Sequence, residues 1–268
     1  MGCRQMKYAI YQMDVMVADP SANRAKITKW IEAQMVQDNP DVLVLPEMWN
    51  TGYALDQLEE IADQNGEITI PFLSSMARDF QVNIIGGSIA NQKKKGIYNT
   101  AYVFNRAGEL IYEYDKMHLV PMLDEPIYLQ GGERKGRVFA LDGVKMGLAI
   151  CYDLRFPELL RDLALQKAEV IHVVAQWPAA RKDHWRYLLH ARAIENQCFM
   201  MAANSSGSCN DTQFAGDSLV INPAGVLVEK GASETEATIK AAIDLEEVAT
   251  MRKNIPVFDS RVPELYGE

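Results

Sequence analysis

GLAICYDLRFPELL (residues 147–160) joins two kinds of pattern at a single cysteine. Gly147 to Ile150 read as the end of a buried strand. Phe156-Pro157-Glu158, followed by Leu159, Leu160 and Leu163, reads as a new helix with proline in its first turn and an acid beside it. A strand running directly into a helix predicts an α/β fold. Cys151 stands at the corner, where a side chain has a rigid support yet can face a pocket. The neighbouring helix N-terminus is expected to favour its anionic form. A small buried core residue is the competing reading of the same thiol.

Outward from this corner, short apolar runs alternate with helical patterns along the chain. KYAIYQMDV reads as a strand, and a helix follows with Ser21 as its N-cap and Ile27, Trp30, Ile31 and Met35 on one face. DVLVLPE, VNIIGGSIA and a hairpin turning at Arg106-Ala107-Gly108 complete the first half. The second half repeats the order: VKMGLAIC, a helix, EVIHVVAQ, a helix, CFMMAANS, and a hairpin around Asn222-Pro223-Ala224-Gly225. A last strand, ATIKAAIDL, leads into a helix starting at Asp244. Two such halves, each apolar on one face and helix-covered on the other, can pack as a four-layer α-β-β-α sandwich of two mixed sheets. Periodicity leaves a single doubly wound sheet open as the alternative.

The chain has 268 residues, 48% hydrophobic and 24% charged, in keeping with one large globular domain. Its net charge of −9 argues against a sequence-independent grip on nucleic acid or an anionic membrane. Lys93-Lys94-Lys95 reads as a solvated loop. No apolar run reaches the roughly 18 residues of a membrane span. Met1-Gly2-Cys3 hints at lipidation, but Met6 stands where a myristoylation signal wants Ser or Thr. A cytoplasmic location is expected. The four cysteines and four histidines show neither disulfide-framework nor metal-site spacing, so no metal or cofactor is expected.

Ligands of α/β sheets gather at the carboxyl ends of strands. Three reactive residues fall there: Glu47 after DVLVLP, Lys116 after LIYEYD, and Cys151 after KMGLAI. A thiol can attack a carbonyl, a carboxylate can move protons, and an ammonium can hold an oxyanion. Taken singly, Glu47 reads equally as the start of a loop and Lys116 as a surface cation.

The segments LPEMWNTGY, YDKMHL and CYDLRFPEL resemble the three signatures of the nitrilase superfamily, the carbon–nitrogen hydrolases. The resemblance extends to QWPAARKDHWRYLLHARAIENQ and FAGDSLVINPAGVLVEKG, so it covers nearly the whole of residues 1–268. It implies the four-layer sandwich, a homodimer, no metal, and a Glu-Lys-Cys triad of Glu47 as base, Lys116 as oxyanion stabiliser and Cys151 as nucleophile. It also implies a second glutamate, matched by Glu125, that orients Lys116 or touches the substrate amide. The backbone N–H of Tyr152 would complete the oxyanion site. Within the superfamily, the ω-amidase branch is the nearest in pattern. That branch removes ammonia from 2-oxoglutaramate and 2-oxosuccinamate through a thioester.

An α-keto acid needs cations or donors at the far end of the pocket. Arg155 and Arg181 are candidates, Tyr53 a further donor, and Trp177 a pocket wall or an ordinary core aromatic. Arg155 reads equally as half of an ion pair with Glu158. N-carbamoyl amidohydrolases, deaminated-glutathione amidases and nitrilases are the alternatives within the superfamily. A thiol redox sensor is the alternative outside it. The segment from about residue 250 is expected to lie across a partner subunit.

Overall fold

The computed structural model describes residues 5–266; the Met1-Gly2-Cys3 start lies outside them. Its strands form two mixed sheets. The first has the order Ala237–Asp244, Gln5–Gln12, Val42–Val44, Asn83–Lys93, Gly96–Phe104, Leu110–Asp115, with Asp63–Gln64 paired to the fourth. The second runs Leu227–Lys230, Leu219–Ile221, Phe199–Asn204, Val170–Ala175, Val144–Ile150, Phe139–Leu141. The four-layer sandwich is therefore the fold, and the doubly wound alternative falls.

Each sheet is apolar on both faces, for different reasons. Tyr8, Ile10, Val44, Val103 and Tyr114 of the first sheet meet Met146, Leu148, Ile150 and Val174 of the second in one core cluster. The opposite face of the first sheet, with Ala9, Leu43, Ile84 and Phe104, packs under Ile27, Trp30 and Ile31 of the helix Pro20–Gln37 and Leu73 and Ala77 of the helix Thr69–Phe80. Alternate residues of a strand face opposite ways, so one strand can serve both layers.

Two local expectations need correction. The first helix is capped by Asp19, whose carboxylate accepts from the Ala22 N–H at 2.9 Å, and Ser21 lies inside the first turn. Pro20 explains the shift: it has no N–H to satisfy and its fixed φ suits the first helical position. Glu246 begins the last helix, not Asp244, which still belongs to the strand Ala237–Asp244. That strand pairs antiparallel with Gln5–Gln12, register Gln5 to Asp244 through Gln12 to Ala237, and so closes the first sheet.

Both hairpin turns form as expected and share their chemistry. Asn105 Oδ1 accepts from Ala107 N–H at 3.0 Å, Asn222 Oδ1 accepts from Ala224 N–H at 3.1 Å, and each turn ends on a positive-φ glycine, Gly108 or Gly225. The duplication thus leaves an Asn-x-Ala-Gly trace at residue level. Lys93-Lys94-Lys95 caps the tight turn between Asn83–Lys93 and Gly96–Phe104; Lys93 pairs with Glu113 and Asp115, and Lys95 with Glu133.

His172 sits between the sheets, its ring 5.8 Å from that of Tyr8 and 6.4 Å from that of Phe139. Burial holds its pKa down to about 4, only partly offset by the Gly147 carbonyl 3.2 Å from Nδ1. Its Nε2 has no partner. The unfolded chain therefore binds this proton more readily. Stability should fall as pH drops from about 6.5 towards 4, by up to about 3 kcal/mol from this group. Urea unfolding across that window should show a shallower loss in His172→Phe than in the parent; equal slopes would count against it.

Candidate active site

A bulge delivers Glu47. The pairing of Asn83–Lys93 with Gly96–Phe104 shifts register between Ile85 and Ser88, at Gly86-Gly87. There the chain end of Val42–Val44 folds over: Ser88 N–H donates to Pro46 O at 3.1 Å, and Ser88 Oγ accepts from Met48 N–H at 3.0 Å. Gly87 has φ +61°, and a Cβ on it would stand 2.0 Å from the Pro46 oxygen, so only glycine fits beneath the segment bearing Glu47.

Glu47, Lys116, Glu125 and Cys151 come together in the interior. Lys116 Nζ donates to Glu47 Oε1 and to Glu125 Oε1, each at 2.8 Å, and all three side chains are wholly buried. Burial alone would lower the Lys116 pKa; Glu125 and Glu47 outweigh it and hold the ammonium above its ordinary range. An ammonium has three hydrogens. Two are committed, which leaves the third for a ligand.

The two carboxylates are not equivalent. Glu125 Oε1 also accepts from the Tyr53 hydroxyl at 2.7 Å, and its Oε2 accepts from Val120 N–H at 2.7 Å. Glu125 thereby ties Lys116 to Tyr53 and to the Val120 backbone. Glu47 shows the same pattern: its Oε1 accepts a further hydrogen from Asn99 Nδ2 at 2.8 Å, and its Oε2 accepts from the Gln176 N–H at 2.7 Å. Each carboxylate keeps acceptor capacity on its Oε2, and the two differ towards sulfur: Glu47 acts more strongly than Glu125 on the Cys151 thiol.

The expected anionic thiol is not what the fold provides. Burial, then Glu47, push the Cys151 pKa well up, against the lowering effect of Lys116. Five residues lie between Cys151 and the start of the helix Pro157–Leu165, most of them in a 3-10 turn, Cys151–Arg155. The helix end is thus too far along the chain to act on the sulfur. A buried, protonated thiol is also a poor redox sensor, which needs an exposed thiolate.

The sulfur borders a cavity of about 20 Å³, walled by Val120, Met122, Leu123, Tyr152, Arg155, Trp177, Pro178 and Arg181. That is room for about one water, and Met122 is the exposed part of its wall. The larger groove between Lys93–Lys95 and residues 133–137, about 450 Å³, touches none of the four central residues.

Arg155, Arg181, Tyr152 and Trp177 thus all reach the cavity. The Arg155 guanidinium lies 4.6 Å from the Trp177 ring centroid, and among the described residues it forms no ion pair with Glu158. Trp177 is at once wall and core: 2% exposed, 5.4 Å from Trp185, its N–H donated to the Arg181 carbonyl at 2.8 Å. Tyr53 stands apart from the rest. Its hydroxyl hydrogen goes to Glu125, so it is not the substrate donor expected of it. Asn99 and Gln176 were missed. Gln176 follows EVIHVVA at a strand end, the same signal that singled out Glu47, and Asn99 is a polar residue inside an apolar strand.

A family model for carbon-nitrogen hydrolase matches residues 7–253. The chain belongs to the carbon–nitrogen hydrolase family. Members hydrolyse carbon–nitrogen bonds other than peptide bonds, and this chain is such a hydrolase, of the nitrilase superfamily. It is 45% identical over 263 residues to the 2-oxoglutaramate amidase of Bacillus subtilis, covering 97% of this chain and all of that one. It is 46% identical over 262 residues to the "hydrolase in agr operon" of Staphylococcus aureus, with the same coverage. Among solved carbon–nitrogen hydrolase structures, Saccharomyces cerevisiae Nit3, of branch 10 of the nitrilase superfamily, superposes with a TM-score of 0.88 at 30% identity, covering 96% of each chain.

Proposed function

We propose that this carbon–nitrogen hydrolase is an ω-amidase that releases ammonia from 2-oxoglutaramate or 2-oxosuccinamate through a thioester on Cys151. The observation that carries the mechanism is a buried, protonated Cys151 thiol on which Glu47 is the stronger of two neighbouring carboxylates, with Lys116 bonded to both and one of its hydrogens uncommitted. Glu47 takes the thiol proton as sulfur attacks the amide carbon. Lys116 and the Tyr152 N–H hold the oxyanion. The tetrahedral adduct expels the nitrogen, which takes the proton from Glu47 and leaves as ammonia. Glu47 then deprotonates a water that attacks the thioester carbon, and the sulfur departs and recovers its proton. Two moderate barriers replace one high barrier.

The α-keto acid end is assigned to Arg155 and Arg181. Arg155 has no carboxylate partner among the described residues, and the relatives named 2-oxoglutaramate amidase support the same substrate. Arg155→Met keeps the contact with Trp177 but removes the charge. It should raise KM for 2-oxoglutaramate by ~10- to 100-fold, the worth of a hydrogen bond to a charged group, and leave KM for propionamide unchanged. Ammonia release measured on both substrates checks this; equal effects on the two would exclude a carboxylate-binding role.

A cytoplasmic homodimer completes the reading. Cys151, Cys198 and Cys209 are free thiols, which suits a reducing compartment. Ile194 and Val226 are 54% and 57% exposed near the point where His190 meets the Gly225 carbonyl, a candidate self-association face. The tail packs partly on its own chain, with Gln197 Nε2 donating to Ile255 O at 2.7 Å and Arg252 over Phe258, while Leu265 and Tyr266 remain exposed for a partner.

A further inference from the structure

A second buried cluster connects the strand ends that carry Lys116 and Cys151, and none of its side chains lines the cavity. At its centre is Asp153, wholly buried, whose carboxylate is met from four directions. Oδ2 accepts from the Tyr114 hydroxyl at 2.8 Å and from Ile150 N–H at 3.0 Å. Oδ1 accepts from His118 N–H at 3.2 Å and lies 2.7 Å from His118 Nδ1. Burial, reinforced by Asp153, holds the Tyr114 phenol far above its ordinary range, so it stays a donor.

The placement of these contacts is specific. Tyr114, on the last strand of the first sheet, and His118, in the loop beyond it, stand two residues before and after Lys116. Ile150 immediately precedes Cys151, on the second. The His118 ring stacks on Phe156 at 3.6 Å between centroids and 9° between planes, just beyond the turn that begins at Cys151. Cys151 itself has φ +47°, a backbone state that surrounding structure must hold in place. A buried carboxylate is a costly way to join two layers that apolar packing already joins.

We propose that Asp153, acting with Tyr114 and His118, is a positioning residue that sets the separation of the Lys116 ammonium from the Cys151 sulfur. The inference rests on the catalytic roles proposed above. The oxyanion forms between those two groups, so a displacement of about 1 Å would cost rate with little effect on binding.

Asp153 is too central to replace cleanly, but Tyr114→Phe removes one hydrogen and His118 is partly exposed. Tyr114→Phe and His118→Leu should lower kcat ~10- to 100-fold with KM within about threefold. Alkylation of Cys151 by iodoacetamide, which needs no oxyanion donor, should change by no more than about twofold. His118→Asn, whose side-chain amide can stand in for Nδ1, should recover most of kcat. Unchanged kcat in both variants overturns the proposal. So does a parallel fall in kcat and alkylation that His118→Asn does not relieve. Cys151→Ala assayed alongside tells the two failures apart: turnover by that variant defeats the thioester mechanism itself, whereas an inactive Cys151→Ala beside fully active Tyr114→Phe and His118→Leu defeats only the positioning role.

Discussion

Cys151→Ala should release ammonia from 2-oxoglutaramate on the order of 10⁴-fold more slowly than the parent, or not measurably. The loss is chemical. Alanine keeps the Cβ, so the positive φ at this corner costs the variant no more than it costs cysteine, and the removed sulfur borders a cavity that holds about one water. The melting temperature should therefore stay close to that of the parent. Glu47, Lys116 and Glu125 keep their hydrogen bonds and gain nothing to attack with. Turnover within tenfold of the parent, from protein shown to be folded, would end the nucleophile assignment.

Lys116→Met should lower kcat by about 10² to 10³, the usual worth of an oxyanion donor. It should also be the most destabilising of these changes. The ammonium is the one cation between two buried carboxylates, Glu47 and Glu125, and removing one side of a buried ionic cluster costs about 3–5 kcal/mol. The two effects separate by temperature. Denaturant unfolding measures the stability loss, and kinetics taken well below the variant's melting temperature measure the catalytic one. A folded variant that retains kcat within fivefold would show that the Tyr152 N–H suffices for the oxyanion.

Glu47, Lys116 and Cys151 each follow a strand, a local pattern, but singly each kept an ordinary reading as loop acid, surface cation or core thiol; the three signature segments together picked them out. Glu125 was legible only as an acid in a loop. Whether it binds Lys116 or substrate depends on Tyr53 and Val120, which lie 72 and 5 residues away in the chain and fill its two oxygens. Tyr53 was placed on the wrong partner for the same reason. The charge state of Cys151 was misjudged because helix proximity is visible in sequence, whereas desolvation and the field of Glu47 are not.

The amino-acid order alone determined the strand and helix series, the proline start of the helix at Pro157, the two Asn-x-Ala-Gly turns and the identity of the three reactive side chains. These depend on residues a few positions apart, where backbone sterics and periodic apolarity act. Only the tertiary structure decided that Ala237–Asp244 pairs into the first sheet, that Asn99 and Gln176 hold Glu47, and that Asp153 joins the strand ends that carry Lys116 and Cys151. Such pairings are chosen by which apolar faces bury one another and which buried polar atoms find partners, a competition settled across the whole folded chain.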